Sequence, residues 1–161
     1  MFQHHFLRKV LKMRFIGFGM FALLIMAVPA RAEMLTCADQ DNPIDQILCL
    51  SQEAENTMDI TACDHTDHDG VRQQCYAKYA EFVSDPALCA KITDTELKDM
   101  CISDIAKKKE DAGLCQSIIT SGLRDSCYLK VFYKTNDKTL CEKINDAGLK
   151  SSCTGEPVYV K

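Results

Sequence analysis

Hydrophobic residues along this chain recur in short bursts at helical spacing, and the bursts themselves return every 26 residues. Val71, Cys75 and Tyr79 stand at i, i+4 and i+8, as do Leu97, Cys101 and Ile105, and then Leu123, Cys127 and Val131. Tyr76 with Ala80, Ile102 with Ala106 and Tyr128 with Phe132 widen each stripe to the breadth of a core-facing helix. Ahead of each stripe lies a smaller apolar group. Ala62, Leu88, Leu114 and Leu140 directly precede a cysteine, and Ile92, Ile118 and Ile144 follow it three residues later. Leu88, Cys89 and Ile92 share one face of a short helix. Each unit is therefore expected to hold a helix of about two turns and then one of about four turns. No segment sustains period-two alternation, so the expected class is all-α.

The polar positions punctuate this pattern. Asp59, Asp85, Asp111 and Asp137 recur four residues before a unit's first cysteine, and Pro86 follows Asp85 where proline suits a first helical turn. An aspartate there accepts bonds from free amides and faces the positive end of the helix dipole, so the column reads as capping rather than as a calcium or catalytic ladder. The long helices start near Asn42-Pro43, His68-Asp69, Asp94-Thr95, Thr120-Ser121 and Asp146, again mostly capping residues.

The ten cysteines keep the same beat, alternately twelve and fourteen residues apart: Cys37, Cys49, Cys63, Cys75, Cys89, Cys101, Cys115, Cys127, Cys141 and Cys153. One hairpin cannot bury its stripe alone, so neighbours must stack. The expected fold is a small disulfide-stapled α-solenoid of about five helical-hairpin repeats. Two pairings satisfy the spacing. Bridges across twelve residues staple the short helix to the long one within each unit, whereas bridges across fourteen join successive units and leave Cys37 and Cys153 unpaired. The first is favoured, because an exported protein seldom leaves two free thiols, and each bridge would close a loop worth roughly 3 kcal/mol. No Cys-x-x-Cys pair is present, which removes the usual redox motif and zinc knuckle. In plan the chain is similar to the Sel1-like, cysteine-rich secreted repeat proteins, whose helical hairpins also carry one disulfide each. Their repeat is longer and their paired cysteines stand closer, so none of their binding residues maps onto this sequence.

The front of the chain reads differently. Residues 1–32 form an expected signal peptide: Arg8, Lys9, Lys12 and Arg14 precede the uncharged apolar run 15–28, and Ala30-Arg31-Ala32 offers a small-x-small cleavage site. An uncleaved anchor is the alternative, although the run is short of the ~20 residues that span a bilayer. Residues 33–161 are then one cysteine-rich helical-repeat domain, with nothing long and apolar enough to enter a membrane. Loss of the leader removes five basic and no acidic residues, taking the formal charge from −4 to about −9, a field that disfavours nucleic acid. Export to the periplasm or outside the cell suits the even cysteine count.

Candidate chemistry is sparse. The stretch Asp64-His65-Thr66-Asp67-His68-Asp69-Gly70 holds two histidines and three carboxylates, yet it aligns with the polar interhelix turns of other units. A basic column, Arg72, Lys98, Arg124 and Lys150, recurs just inside the long helices and could face an acidic partner, or pair with acids such as Asp99 and Asp125. Lys107-Lys108-Lys109 complements a helix C-terminus. Phe132-Tyr133, together with Phe82, is the candidate aromatic contact surface unless the rings pack between units. No Gly-x-Ser-x-Gly elbow, His-Glu-x-x-His pair or phosphate loop is found. The expectation is a non-enzymatic scaffold without a cofactor that binds a protein or peptide. The alternatives are a secreted inhibitor or immunity-type protein acting on an enzyme, and a metal-dependent enzyme built on the His65/His68 turn.

Overall fold

The computed structural model describes residues 36–155, so the expected leader lies outside them. Short 3₁₀ helices alternate with long α-helices: η1 (Cys37–Asp39), α1 (Pro43–Thr57), η2 (Ile60–Asp64), α2 (Asp69–Val83), η3 (Pro86–Lys91), α3 (Thr95–Lys109), η4 (Leu114–Ser117), α4 (Ser121–Thr135), η5 (Lys138–Lys143) and α5 (Ala147–Thr154). No strand occurs among the described residues. Each long helix packs on the next one and on the 3₁₀ helix between them. The fold is a disulfide-stapled α-solenoid.

All five bridges span twelve residues, joining Cys37–Cys49, Cys63–Cys75, Cys89–Cys101, Cys115–Cys127 and Cys141–Cys153, with Cα–Cα separations of 5.4 to 6.0 Å. The within-unit register is therefore the one formed. Each bridge lashes a 3₁₀ helix to the second turn of the long helix that follows, and so many bridges fit an oxidising compartment.

The short element differs from the expected two-turn α-helix. Three to six residues separate its cap from the next extended stretch, enough only for 3₁₀ bonding such as Ile92 N–H to Cys89 O at 3.1 Å. Ile92, Ile118 and Ile144 consequently sit at the extended C-caps rather than inside the helix, and all three are fully buried.

A second 26-residue column shapes the turns. Met58, Ser84, Glu110 and Asn136, which close the four long helices of fifteen residues, take left-handed backbone with φ between 54° and 59°. After the first three, the amide of the following aspartate reaches back to Ala54, Ala80 and Ala106 at 3.0, 3.1 and 2.9 Å, which closes a Schellman turn. The carboxylates of Asp59, Asp85, Asp111 and Asp137 then accept from the amides of Thr61, Ala87, Gly113 and Thr139 at 2.9 to 3.0 Å. Asp59 and Asp85 thus each end a helix through the backbone and start the next through the side chain. Ala54, Ala80 and Ala106 are entirely buried, small enough for close approach of the neighbouring unit, whereas the equivalent position in α4 is Phe132.

Successive units are clasped by buried polar side chains. Gln73 Oε1 accepts from the amides of Thr93 and Asp94 at 2.9 and 2.8 Å. Asp99 accepts from Ile119 and Thr120 at 3.1 and 2.8 Å, and Asp125 from Asn145 and Asp146 at 3.0 and 2.8 Å. These three side chains are 1 to 7 % exposed. Burial pushes the Asp99 carboxyl up, but the amide of Thr120, its hydroxyl and the amide of Ile119 outweigh it and hold the group below the usual carboxylate range. The targets are the amides where the next long helix begins, which have no partner within that helix; the acceptors are buried while the residues that donate stay exposed.

Candidate interaction surface

Between the long helices, α1, α2 and α3 leave a linked trail of concavities, whose walls include the bridge residue Cys101 and the clasp residue Gln73. The first, of about 370 Å³, is bounded by Leu48 and Glu55 of α1, Lys78 and Phe82 of α2, and Lys108 of α3. The second, of about 220 Å³, shares Lys78 and Glu81 and extends to Met100 and Asp104. The third, of about 310 Å³, continues past Gln74 and Met100 to Asp94. Leu48, Phe82 and Met100 remain 52, 45 and 37 % exposed along this trail. The groove floor is fastened between units. Lys108 Nζ donates to the carbonyls of Glu81 and Phe82 at 2.7 and 3.1 Å, capping the C-terminus of α2, and Lys130 pairs with Asp104 at 2.9 Å.

The basic column is divided. Arg72 Nη1 donates to Thr66 O at 3.0 Å while its Nη2 pairs with Asp69 at 2.8 Å, and Arg124 Nη1 donates to Ile118 O at 3.3 Å. Both guanidiniums tie down the turn before their own helix. Lys98 is half-buried and Lys150 exposed. Asp99 and Asp125 reach into the following unit rather than serving as simple partners of Lys98 and Arg124.

The aromatic residues separate as well. Phe132 is half-buried against the core, its ring 5.4 Å from that of Tyr133, which stays 61 % exposed. Phe82 leans on Tyr79 at 6.4 Å and opens into the groove. Tyr76 is buried with its hydroxyl bonded to Asp64; burial first, and that carboxylate second, push its pKa to about 12. In the histidine turn, His65 Nδ1 lies 3.7 Å from Glu53 Oε1, and Thr66 Oγ1 accepts from the amide of His68. Among the described residues no three His, Cys, Asp or Glu side chains gather as a metal site.

A further cleft, of about 740 Å³, opens at the first unit beside Cys37 and Cys49, with Gln52, Glu53 and His65 on its walls. This end is acidic: residues 36–62 contain Asp39, Asp41, Asp45, Glu53, Glu55 and Asp59 but no lysine or arginine. Leu48 and Met100 share one repeat position with Gln74 and Ser126, so no apolar column marks the groove in the sequence. Among the described residues no helix is long and apolar enough to cross a membrane. Comparison with protein-family models, curated proteins and solved structures finds no match.

Proposed function

We propose that this chain is an exported helical-repeat scaffold, periplasmic or secreted, that binds a protein or peptide along the groove of α1, α2 and α3 and performs no catalysis itself. The observation that carries this reading is the row of Leu48, Phe82 and Met100, one from each of three adjacent helices, exposed among Lys78, Glu81 and Asp104. Apolar anchors within a polar rim are the usual makeup of a contact patch, and a stapled array presents them on a surface that needs little ordering on binding. Export rests on the leader and agrees with the five bridges.

A photo-crosslinker placed at Gln74 in cells making the exported chain tests this. A discrete adduct is expected, lost in Leu48→Glu/Phe82→Glu and kept in Tyr133→Ala. An adduct indifferent to the paired substitution would defeat the reading. The inhibitor reading is favoured by one observation, the wholly acidic first unit, which would suit the basic active site of an enzyme. A crosslinker at Asn56, on the wall of the first-unit cleft, would then capture the partner instead.

A further inference from the structure

Four of the five bridges are buried, although Cys101 of the third reaches the wall of the 220 Å³ concavity. Cys63, Cys75, Cys89, Cys101, Cys115, Cys127, Cys141 and Cys153 are 0 to 6 % exposed and belong to the continuous core. The first bridge differs on three counts. Cys37 and Cys49 are each only part-buried. Both line the cleft of about 740 Å³ at the first unit, which is wide enough to admit a small thiol. The element that the bridge secures, η1, is three residues long and contains no buried residue. Apart from the bridge, η1 is tied to α1 by Gln46 Nε2 donating to Ala38 O at 3.2 Å and by the contact of Cys37 Sγ with Glu53 Oε2 at 3.7 Å. Helix α1 has independent support, since Leu50 and Ala54 are fully buried against the rest of the stack.

From this contrast we infer that Cys37–Cys49 is a site of thiol–disulfide exchange, opened by a dithiol reductant while the other four bridges stay closed. The incoming thiolate bonds to Cys37 Sγ, the sulfur carried by η1, which has no buried residue, and the S–S bond breaks toward Cys49; the Glu53 carboxylate, 3.7 Å from Cys37 Sγ, slows the approach of an anionic donor. Cys49 departs as the thiolate and takes a proton from water. The donor's second thiol then attacks the mixed disulfide, releasing Cys37 as a thiol and oxidising the donor to its own disulfide. Two electrons and two protons pass from the dithiol to the bridge. The opened unit loses the lashing of η1 and keeps its long helix.

The test is a titration of the native exported chain with dithiothreitol, followed by alkylation and peptide mapping, with far-UV circular dichroism on the same samples. Cys37 and Cys49 are expected to be alkylated at reductant concentrations about tenfold below those needed for the remaining eight, with helicity retained. Coincident labelling of all ten cysteines, prior labelling of another bridge, or loss of helicity with the first bridge would each overturn the inference. The role of Glu53 has its own measurement. Glu53→Gln should speed exchange with anionic 2-mercaptoethanesulfonate about threefold or more, and that with cationic cysteamine less. Equal effects on the two thiols would remove Glu53 from the account. A Cys37→Ser/Cys49→Ser variant should retain its helicity, and a variant that fails to fold would count against the inference as well.

Discussion

The junction between the first two units and the three that follow it solve one packing problem in two ways. In the later junctions a long helix sends a buried polar side chain, Gln73, Asp99 or Asp125, to the amides that open the next long helix. In the first junction the same repeat position is Ile47, which packs partly buried against the core, and the amide of His68 turns to its own neighbour Thr66 Oγ1 at 3.2 Å. The first unit is unlike the others in its bridge and its charge as well. A clasp raises the penalty for separating two units, because each amide it satisfies would lose its acceptor. The apolar junction depends mainly on area, with one exposed polar contact, His65 to Glu53 at 3.7 Å, beside it. The difference shows that a polar clasp and apolar packing can each join two units at the same repeat position.

The largest expected break is at an inner bridge. Cys89→Ser/Cys101→Ser should cost about 3 kcal/mol or more in urea unfolding, since it reopens a closed loop and leaves two hydroxyls in the core. Cys37→Ser/Cys49→Ser should cost less, because its hydroxyls meet solvent. Equal losses would dissolve the contrast between the two kinds of bridge.

Next come the clasps. Asp99→Ala should cost about 2 kcal/mol, through loss of the two bonds that the amides of Ile119 and Thr120 give to a buried carboxylate, while Ile47→Ala at the first junction should cost about 1 kcal/mol. Asp99→Asn should fall between wild type and alanine, because Gln73 shows that a single amide oxygen can serve two backbone donors.

Acid sharpens the same comparison. The folded pKa of Asp99 is depressed, so its contribution is present above the unfolded carboxylate pKa of about 4 and is lost as pH falls through the folded value. Wild type should therefore lose thermal stability from about pH 4 downward, and Asp99→Asn should lose less over that window. Identical pH profiles for the two would dismiss the clasp as the acid-sensitive element.

The smallest effect concerns the turns. Met58→Gly and Glu110→Gly relieve left-handed strain in a β-carbon-bearing residue and should each stabilise by about 1 kcal/mol, readable as a raised urea midpoint. Because this turn is the same at an apolar and at a clasped junction, the two gains should agree.

Much of the fold was legible because the copied unit makes each constraint appear several times. Asp59, Asp85 and Asp137 read as caps and form caps, while Asp111 bonds the amide of Gly113 ahead of η4, whose own N-cap is that glycine. The stripes through Cys75, Cys101 and Cys127 read as core and are core. Asp99 and Asp125 were visible as acids but pointed to the wrong partners, since the adjacent Lys98 and Arg124 are obvious in sequence and amides twenty residues away are not. The left-handed column escaped for a similar reason: Met, Ser, Glu and Asn share no feature that advertises positive φ, and glycine is absent there. The groove was the least legible part. Leu48 and Met100 share a repeat position with polar Gln74 between them and Phe82 stands at another, so the three fall on one trail only across helices.

By itself the sequence determined the class, the repeat length, the caps and the favoured disulfide register, all of which depend on spacing along one or two turns of chain. Only the tertiary structure decided that the short elements are 3₁₀, that buried acids fasten units together, that one bridge of five is part-exposed, and which apolar residues face outward. These depend on distances between residues far apart in the chain, set by how neighbouring helices pack, and local spacing carries no record of that packing.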